Sequence, residues 1–350
     1  MHVSTVVKHV VVGAGATLAE ALALGNPTDR CPPLIRNFAR KTWFNYTPHP
    51  VLEAYLRDLG YTDLGRDPRE LFYRLEDEGY ANIERFIEFA WINRHRDWKV
   101  DKTNLPPGYI SGLRITAPGQ DDTEDISWVG EGQFWENLLY HGIGSPMSFF
   151  TLQCFFEDGK GLKDLALSKS VASHIKPNDV VLNLNYDTVF ELALEQLGHA
   201  FSYSPSEPSD DRILVCKPHG SLNMVMNHER FGFCQPGWLG MPQRRGFSSY
   251  SGIIPPRLNK TYSQHPVAAL ILAPVLDRRP TRIVMWGVGL ADSDVDLLAL
   301  YRAWAERADR VEIINPCGEV ADRARRIFRC HVNHFFDLKE WEQFCNEGEA

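Results

Sequence analysis

Apolar runs of strand length alternate with helix-period segments at both ends of this chain, and a long stretch of a different texture lies between them. The first run, residues 6–12, is rich in Val on both faces, as a buried parallel strand requires. It turns at "GAGAT" into a segment with apolar positions at helical spacing. Residues 32–176 then read mainly as helices: "HPVLEAYLRDLG", "PRELFYRLEDEG", "ANIERFIEFAWINRH", "GQFWENLLYHGI" and "LKDLALSKSVASHI", separated by Pro, Gly and Asp clusters such as "NLPPGY" and "APGQDDTED". From residue 177 the alternation returns. Strands are expected at "DVVLNLN", "RILVCK", "TRIVMWG", "RVEIIN" and "CHVNHFF", with helices at "DTVFELALEQLG", "PVAALILAPVLDRR", "DVDLLALYRAWAERA" and "EVADRARRIF". The stretch 227–260 carries little periodicity and reads as loop.

Strands alternating with helices predict an α/β fold, a Rossmann-like, doubly wound parallel sheet. The long helical stretch then reads as a large insertion after the first βα unit. The expected organisation is one sheet domain from residues 1–31 and 177–350, and a helical insert or cap from residues 32–176.

Composition narrows the class. With 44% hydrophobic and 23% charged residues, the chain has the make-up of a soluble globular protein. A net charge of -8 argues against nucleic-acid binding, which needs a concentrated basic face. The seven scattered cysteines include no C-x-x-C pair, so no zinc site is expected and reduced thiols in the cytoplasm fit best. The N-terminal apolar run is interrupted by the glycine turn and reads as a core strand, and no segment approaches the length of a membrane span.

Ligands of open parallel sheets bind at the carboxyl ends of the strands, so polar residues just after expected strands are the candidates. They fall at Gly13–Thr17, at "NYD" (Asn185–Asp187), at "PHGS" (Pro218–Ser221), at "GVGLADSD" (Gly287–Asp294) and at Asn315. Gly13 and Gly15 would let a backbone approach a diphosphate at a helix N-terminus, although Leu18 stands where the G-x-G-x-x-G pattern has its third glycine. His219 follows a strand, where a general base is useful; a surface or core histidine is the plainer alternative. Asp187 has a plainer alternative too, as a helix cap. Asp292, Asp294 and Asp296 suit capping better than a metal site, and His331 and His334 read as structural.

The ordered combination "VVVGAGAT", "LNYD", "KPHGS", "WGVGLADSD" and "IIN" resembles the sirtuin superfamily, in particular the sirtuin-like NAD hydrolases of bacterial antiphage defence such as Thoeris. The resemblance implies that Gly13, Ala14, Gly15 and Thr17 line a diphosphate loop. It implies that Asn185 holds the nicotinamide ribose and the attacking water, that Asp187 meets the nicotinamide amide, and that His219 is the base. Gly287, Gly289 and Asn315 would contact the phosphates and adenosine ribose, and Arg30 would stand beside the cofactor. The zinc ligands and the Phe-Gly-Glu segment of sirtuin deacylases are absent, and Leu184 stands where their motif has Gln. The expectation is therefore NAD as substrate, hydrolysed to ADP-ribose and nicotinamide, with a homo-oligomer or a separate partner protein as trigger. A non-catalytic NAD or ADP-ribose module and an NAD-dependent deacylase are the alternatives.

Overall fold

The computed structural model describes residues 7–42, 49–93, 98–101, 126–129, 143–206, 209–227, 230–237, 251–254, 265–276, 278–292 and 294–348. The expected helix "GQFWENLLYHGI", the acidic stretch "GQDDTED" and residues 43–48 lie wholly or almost wholly outside them. Described strands, in chain order, are β1 (Lys8–Val12), β2 (Trp98–Asp101), β3 (Ile126–Val129), β4 (Phe156–Glu157), β5 (Gly161–Leu162), β6 (Val180–Asn183), β7 (Phe201–Tyr203), β8 (Ile213–Cys216), β9 (Gly220–Asn227), β10 (Arg230–Phe233), β11 (Ser251–Ile253), β12 (Arg282–Trp286), β13 (Arg310–Ile314) and β14 (His331–Phe335).

The chain divides into two compact units, Met1–Pro32 with Phe150–Ile254 and Asn259–Ala350, and Pro33–Phe149 with Pro255–Leu258. The sequence pattern grouped residues 150–176 with the helical insert, whereas this division groups them with the sheet. In the second unit, helices His49–Asp58, Pro68–Asp77 and Ile83–Ile92 follow the expected periodicity. Asp67 and Asn82 cap the latter two through Arg69 N–H and Arg85 N–H. β2 and β3 form an antiparallel pair there, between two of the segments expected as helices, where no strand was expected.

The first unit is built on a seven-stranded sheet of order β14-β13-β12-β1-β6-β8-β7, parallel at every pairing. Alternate residues serve opposite faces, as the two-residue period of a strand dictates. Val11, Leu182, Ile283 and Met285 pack with helices Pro266–Leu276, Val295–Trp304 and Gly318–Ile327. Val10, Val12, Val181 and Val284 pack on the other face with helices Ala14–Ala23, Ala166–Ser173, Val189–Gln196 and Leu338–Gly348. This is the α/β, doubly wound architecture expected. The chain leaves β1 towards β6 on one side and returns to β12 on the other, so the topological switch point lies at the carboxyl ends of β1 and β12.

Some strands escaped the sequence pattern. β7 is a three-residue edge strand, and β10-β9-β11 form a separate antiparallel sheet whose β10 and β11 lie in the stretch expected as loop.

Candidate functional site at the switch point

Register brings the strand tips level: Val12 lies beside Trp286 on one side and Asn183 on the other, and Leu182 beside Cys216. The residues that follow these tips therefore meet. Gly13 N–H donates to Trp286 O at 3.0 Å and Gly15 N–H to Gly287 O at 3.0 Å. A Cβ at Gly13 would sit 2.6 Å from Gly287 O, and one at Gly15 2.9 Å from Gly287 Cα. Gly287 itself has φ of +65°, and a Cβ there would sit 2.1 Å from Ala16 N. The glycines are thus demanded by two turns packed backbone to backbone, a reason for glycine independent of any ligand.

Asn185 lies two residues past the tip of β6, and it is only 6% exposed. Its Nδ2 donates to Gly13 O at 3.1 Å and to Thr17 Oγ1 at 2.9 Å. A main-chain carbonyl can only accept, so the carboxamide orientation is fixed by its partners. Thr17 Oγ1 in turn donates to Asp187 Oδ2 at 3.0 Å, and Asp187 Oδ1 accepts from Val189 N–H at 3.0 Å. This directed chain uses both N–H groups of Asn185 and leaves its Oδ1 buried with no partner among the described residues. Buried acceptors are rarely left so. Asp187, by contrast, is buried with both oxygens taken, one by the first N–H of the helix Val189–Gln196 and the other by Thr17.

Beneath this chain lies a buried charge layer. Lys217 and Glu191, both fully buried, form an ion pair at 2.9 Å. Lys217 Nζ also donates to Asp187 O at 2.6 Å, Asn183 Nδ2 donates to Glu191 Oε2 at 2.8 Å, and Asn185 N–H donates to Asn183 Oδ1 at 3.0 Å. Burial pushes the carboxyls of Asp187 and Glu191 up, and the neighbouring ammonium of Lys217 opposes the rise.

His219 is half-buried, with Nδ1 2.8 Å from Leu184 O. Because that oxygen only accepts, Nδ1 carries a proton, and in the neutral ring Nε2 is then the unprotonated nitrogen. The imidazole is thereby fixed one residue from Asn185. The backbone behind it is braced: Ile254 N–H donates to His219 O at 2.9 Å, and Tyr186 Oη donates to Ile254 O at 3.2 Å. Gly220, at φ of +79°, lets β9 start against β11, since a Cβ there would lie 1.9 Å from Gly252 O.

The structure therefore draws together Gly13, Gly15, Thr17, Asn185, Asp187, His219 and Gly287. Ala14 is exposed at the start of its helix beside them. Asn315 ties in from the next strand, its Nδ2 donating to Val288 O at 3.0 Å and its Oδ1 accepting from Cys317 N–H at 2.9 Å. Gly289 is exposed in open space. Arg30 is exposed on the turn Thr28–Arg30, outside the cluster; its carbonyl accepts from Cys154 Sγ at 3.2 Å. Asp294 stands at an N-cap without a side-chain capping bond, and His334 Nε2 contacts Asn315 O at 2.8 Å.

Sequence reasoning missed Asn183, Glu191 and Lys217. A signal existed: polar residues recur at every second position, 183-185-187 and 217-219-221-223, where two apolar strands end.

No model of a known protein family matches this chain, and no curated protein matches it. Among the described residues, no helix is long and apolar enough to cross a membrane.

Proposed function

We propose that this protein hydrolyses NAD at the nicotinamide N-glycosidic bond, giving ADP-ribose and nicotinamide. The observation that carries the reading is the buried, unpartnered Oδ1 of Asn185, fixed in orientation at the switch point and one residue from the carbonyl that orients His219. Such an acceptor suits a ribose hydroxyl or a water molecule, the two donors that hydrolysis at a ribose carbon brings together.

Departure of nicotinamide leaves positive charge on the ribose, and a directed acceptor beside that carbon favours it. Water adds its oxygen to the ribose carbon, and its proton passes to Nε2 of His219, which the Leu184 carbonyl keeps as the basic nitrogen. The helix Ala14–Ala23 begins at this turn with no side-chain cap. Since the N–H groups of Gly13 and Gly15 are bonded to Trp286 O and Gly287 O, a diphosphate would be held there by the helix dipole and the exposed start of the helix at Ala14. Gly287, Gly289 and Asn315 stand on the adjoining loops, on the side suited to the adenosine half. Arg30 would have to reach in from its exposed turn. Asp187 acts through Thr17 as a positioning residue. Unchecked NAD hydrolysis would deplete the host cell, so the proposal includes a trigger, homo-oligomer assembly or a separate partner protein, in the antiphage setting that the resemblance implies.

The test is chromatographic product analysis of NAD incubated with purified protein across a range of protein concentrations. Nicotinamide and ADP-ribose are expected in equal amounts, and Asn185→Ala and His219→Ala are each expected to lower turnover by about 100-fold or more with the fold retained. Intact NAD at every concentration, and with the natural partner added, would overturn the reading.

A further inference from the structure

The buried ion pair under the site has no evident stabilising purpose. Removing an ammonium and a carboxylate from water costs several kcal/mol each, and apolar side chains of similar volume often serve a core as well or better. What this pair does hold is the turn that carries Asn185. Lys217 Nζ grips the far end of that turn at Asp187 O, 2.6 Å away. Through Glu191 at 2.9 Å and Asn183 at 2.8 Å it also reaches the near end, where Asn183 Oδ1 receives Asn185 N–H at 3.0 Å. Lys217 is two residues before His219, whose Nδ1 meets Leu184 O at the same turn.

We infer that Lys217 is a positioning residue. Its ammonium, paired with Glu191, pins both ends of the 185–187 turn and so sets the carboxamide of Asn185 and the Nδ1–H form of His219 together. For its catalytic consequence this rests on the NAD-hydrolase reading; its geometric content does not. Lys217 touches no substrate. Its loss leaves ligand groups on the helix N-terminus in place and releases the groups that face the reacting carbon. The effect therefore falls on kcat and not on KM.

Lys217→Met alone strands the carboxylate of Glu191 in the interior and can unfold the protein, so the decisive variant is the double Lys217→Met with Glu191→Gln. It removes both charges and keeps an acceptor for Asn183 Nδ2. Circular dichroism and urea titration check that it folds. Two readouts follow: kcat and KM for NAD, and the tautomer of the His219 imidazole from nitrogen-15 NMR. In the wild type the Nδ1–H form is expected. In the folded double variant we expect kcat lower by about 100-fold, KM within about threefold, and loss of the single Nδ1–H signature. A double variant with wild-type kcat, or one whose loss lies wholly in KM, would overturn the inference. If the wild type cleaves no NAD, the hydrolase reading fails by itself. The imidazole signature then still decides: unchanged in the double variant, it overturns the positioning role; lost, it supports it.

Discussion

Acidification from pH 7.5 to 5 should destabilise this protein through one residue in the middle of its sheet. His9 lies in β1 with no exposed surface, its ring edge-on to Trp304 at a centroid distance of 4.5 Å and 68° between planes. Neither ring nitrogen has a hydrogen-bond partner among the described residues. Burial, and secondarily the charge of Arg278, hold the imidazole down to a pKa of about 3 against an ordinary value of 6.5. The sign follows from which state takes the proton first. Well above pH 6.5 neither state is protonated at this residue and it contributes no pH dependence. As the pH falls below 6.5 the unfolded chain binds a proton that the folded chain refuses, so stability is lost progressively down to about pH 3. At 1.36 kcal/mol per pH unit, the ceiling is about 5 kcal/mol, and the share lost by pH 5 is about 2 kcal/mol.

The perturbation is His9→Leu, which keeps the volume close and removes both nitrogens. At pH 7.5 its stability should lie within about 1.5 kcal/mol of wild type. Urea titrations of both proteins at pH 7.5, 6.5, 5.5 and 5, followed by tryptophan fluorescence, give the difference in stability at each pH. Every other titrating group cancels in that difference. It should move in favour of the variant by about 2 kcal/mol between pH 7.5 and 5. A difference that stays constant across the series, or an NMR titration of the His9 ring within that range in the native state, would refute the reasoning.

The two glycines of the β12 turn should separate cleanly. Gly287→Ala forces a left-handed residue into Ala16 N and should cost about 3 kcal/mol or more, whereas Gly289→Ala, with open space around it, should shift the urea midpoint little. Glu20 is fully buried and accepts from Ser168 N–H and Leu167 N–H, capping a neighbouring helix across the chain. Glu20→Ala should therefore cost about 1–2 kcal/mol by the same titration, and a variant of wild-type stability would show that water replaces the cap.

How far the sequence reveals this molecule depends on which kind of contact decides each part. β1, β6, β8, β12 and β13 are legible because parallel strands covered on both faces must be apolar at nearly every position. β7 is too short and too partly buried to leave that mark. β9 does alternate polar and apolar residues, yet Ser221 and Asn223 are as buried as Leu222 and Met224 and are bonded to each other at 2.7 Å. A pattern reading takes polar residues as exposed, and here they are not. The site divides in the same way. Where an apolar strand ends and polar residues continue its two-residue period, as after Asn183 and after Cys216, the chain itself says that one side of the sheet tip is polar. It does not say which of those groups finds a partner. Asn185 and Asp187 belong to the same motif, yet Asp187 is saturated by Thr17 and Val189 while Asn185 keeps an idle oxygen, because Gly13 and Thr17 arrive from the turn and helix after β1, some 170 residues away in sequence. The idle oxygen, on which a chemical reading of this site turns, is a property of that meeting of segments and of no segment alone.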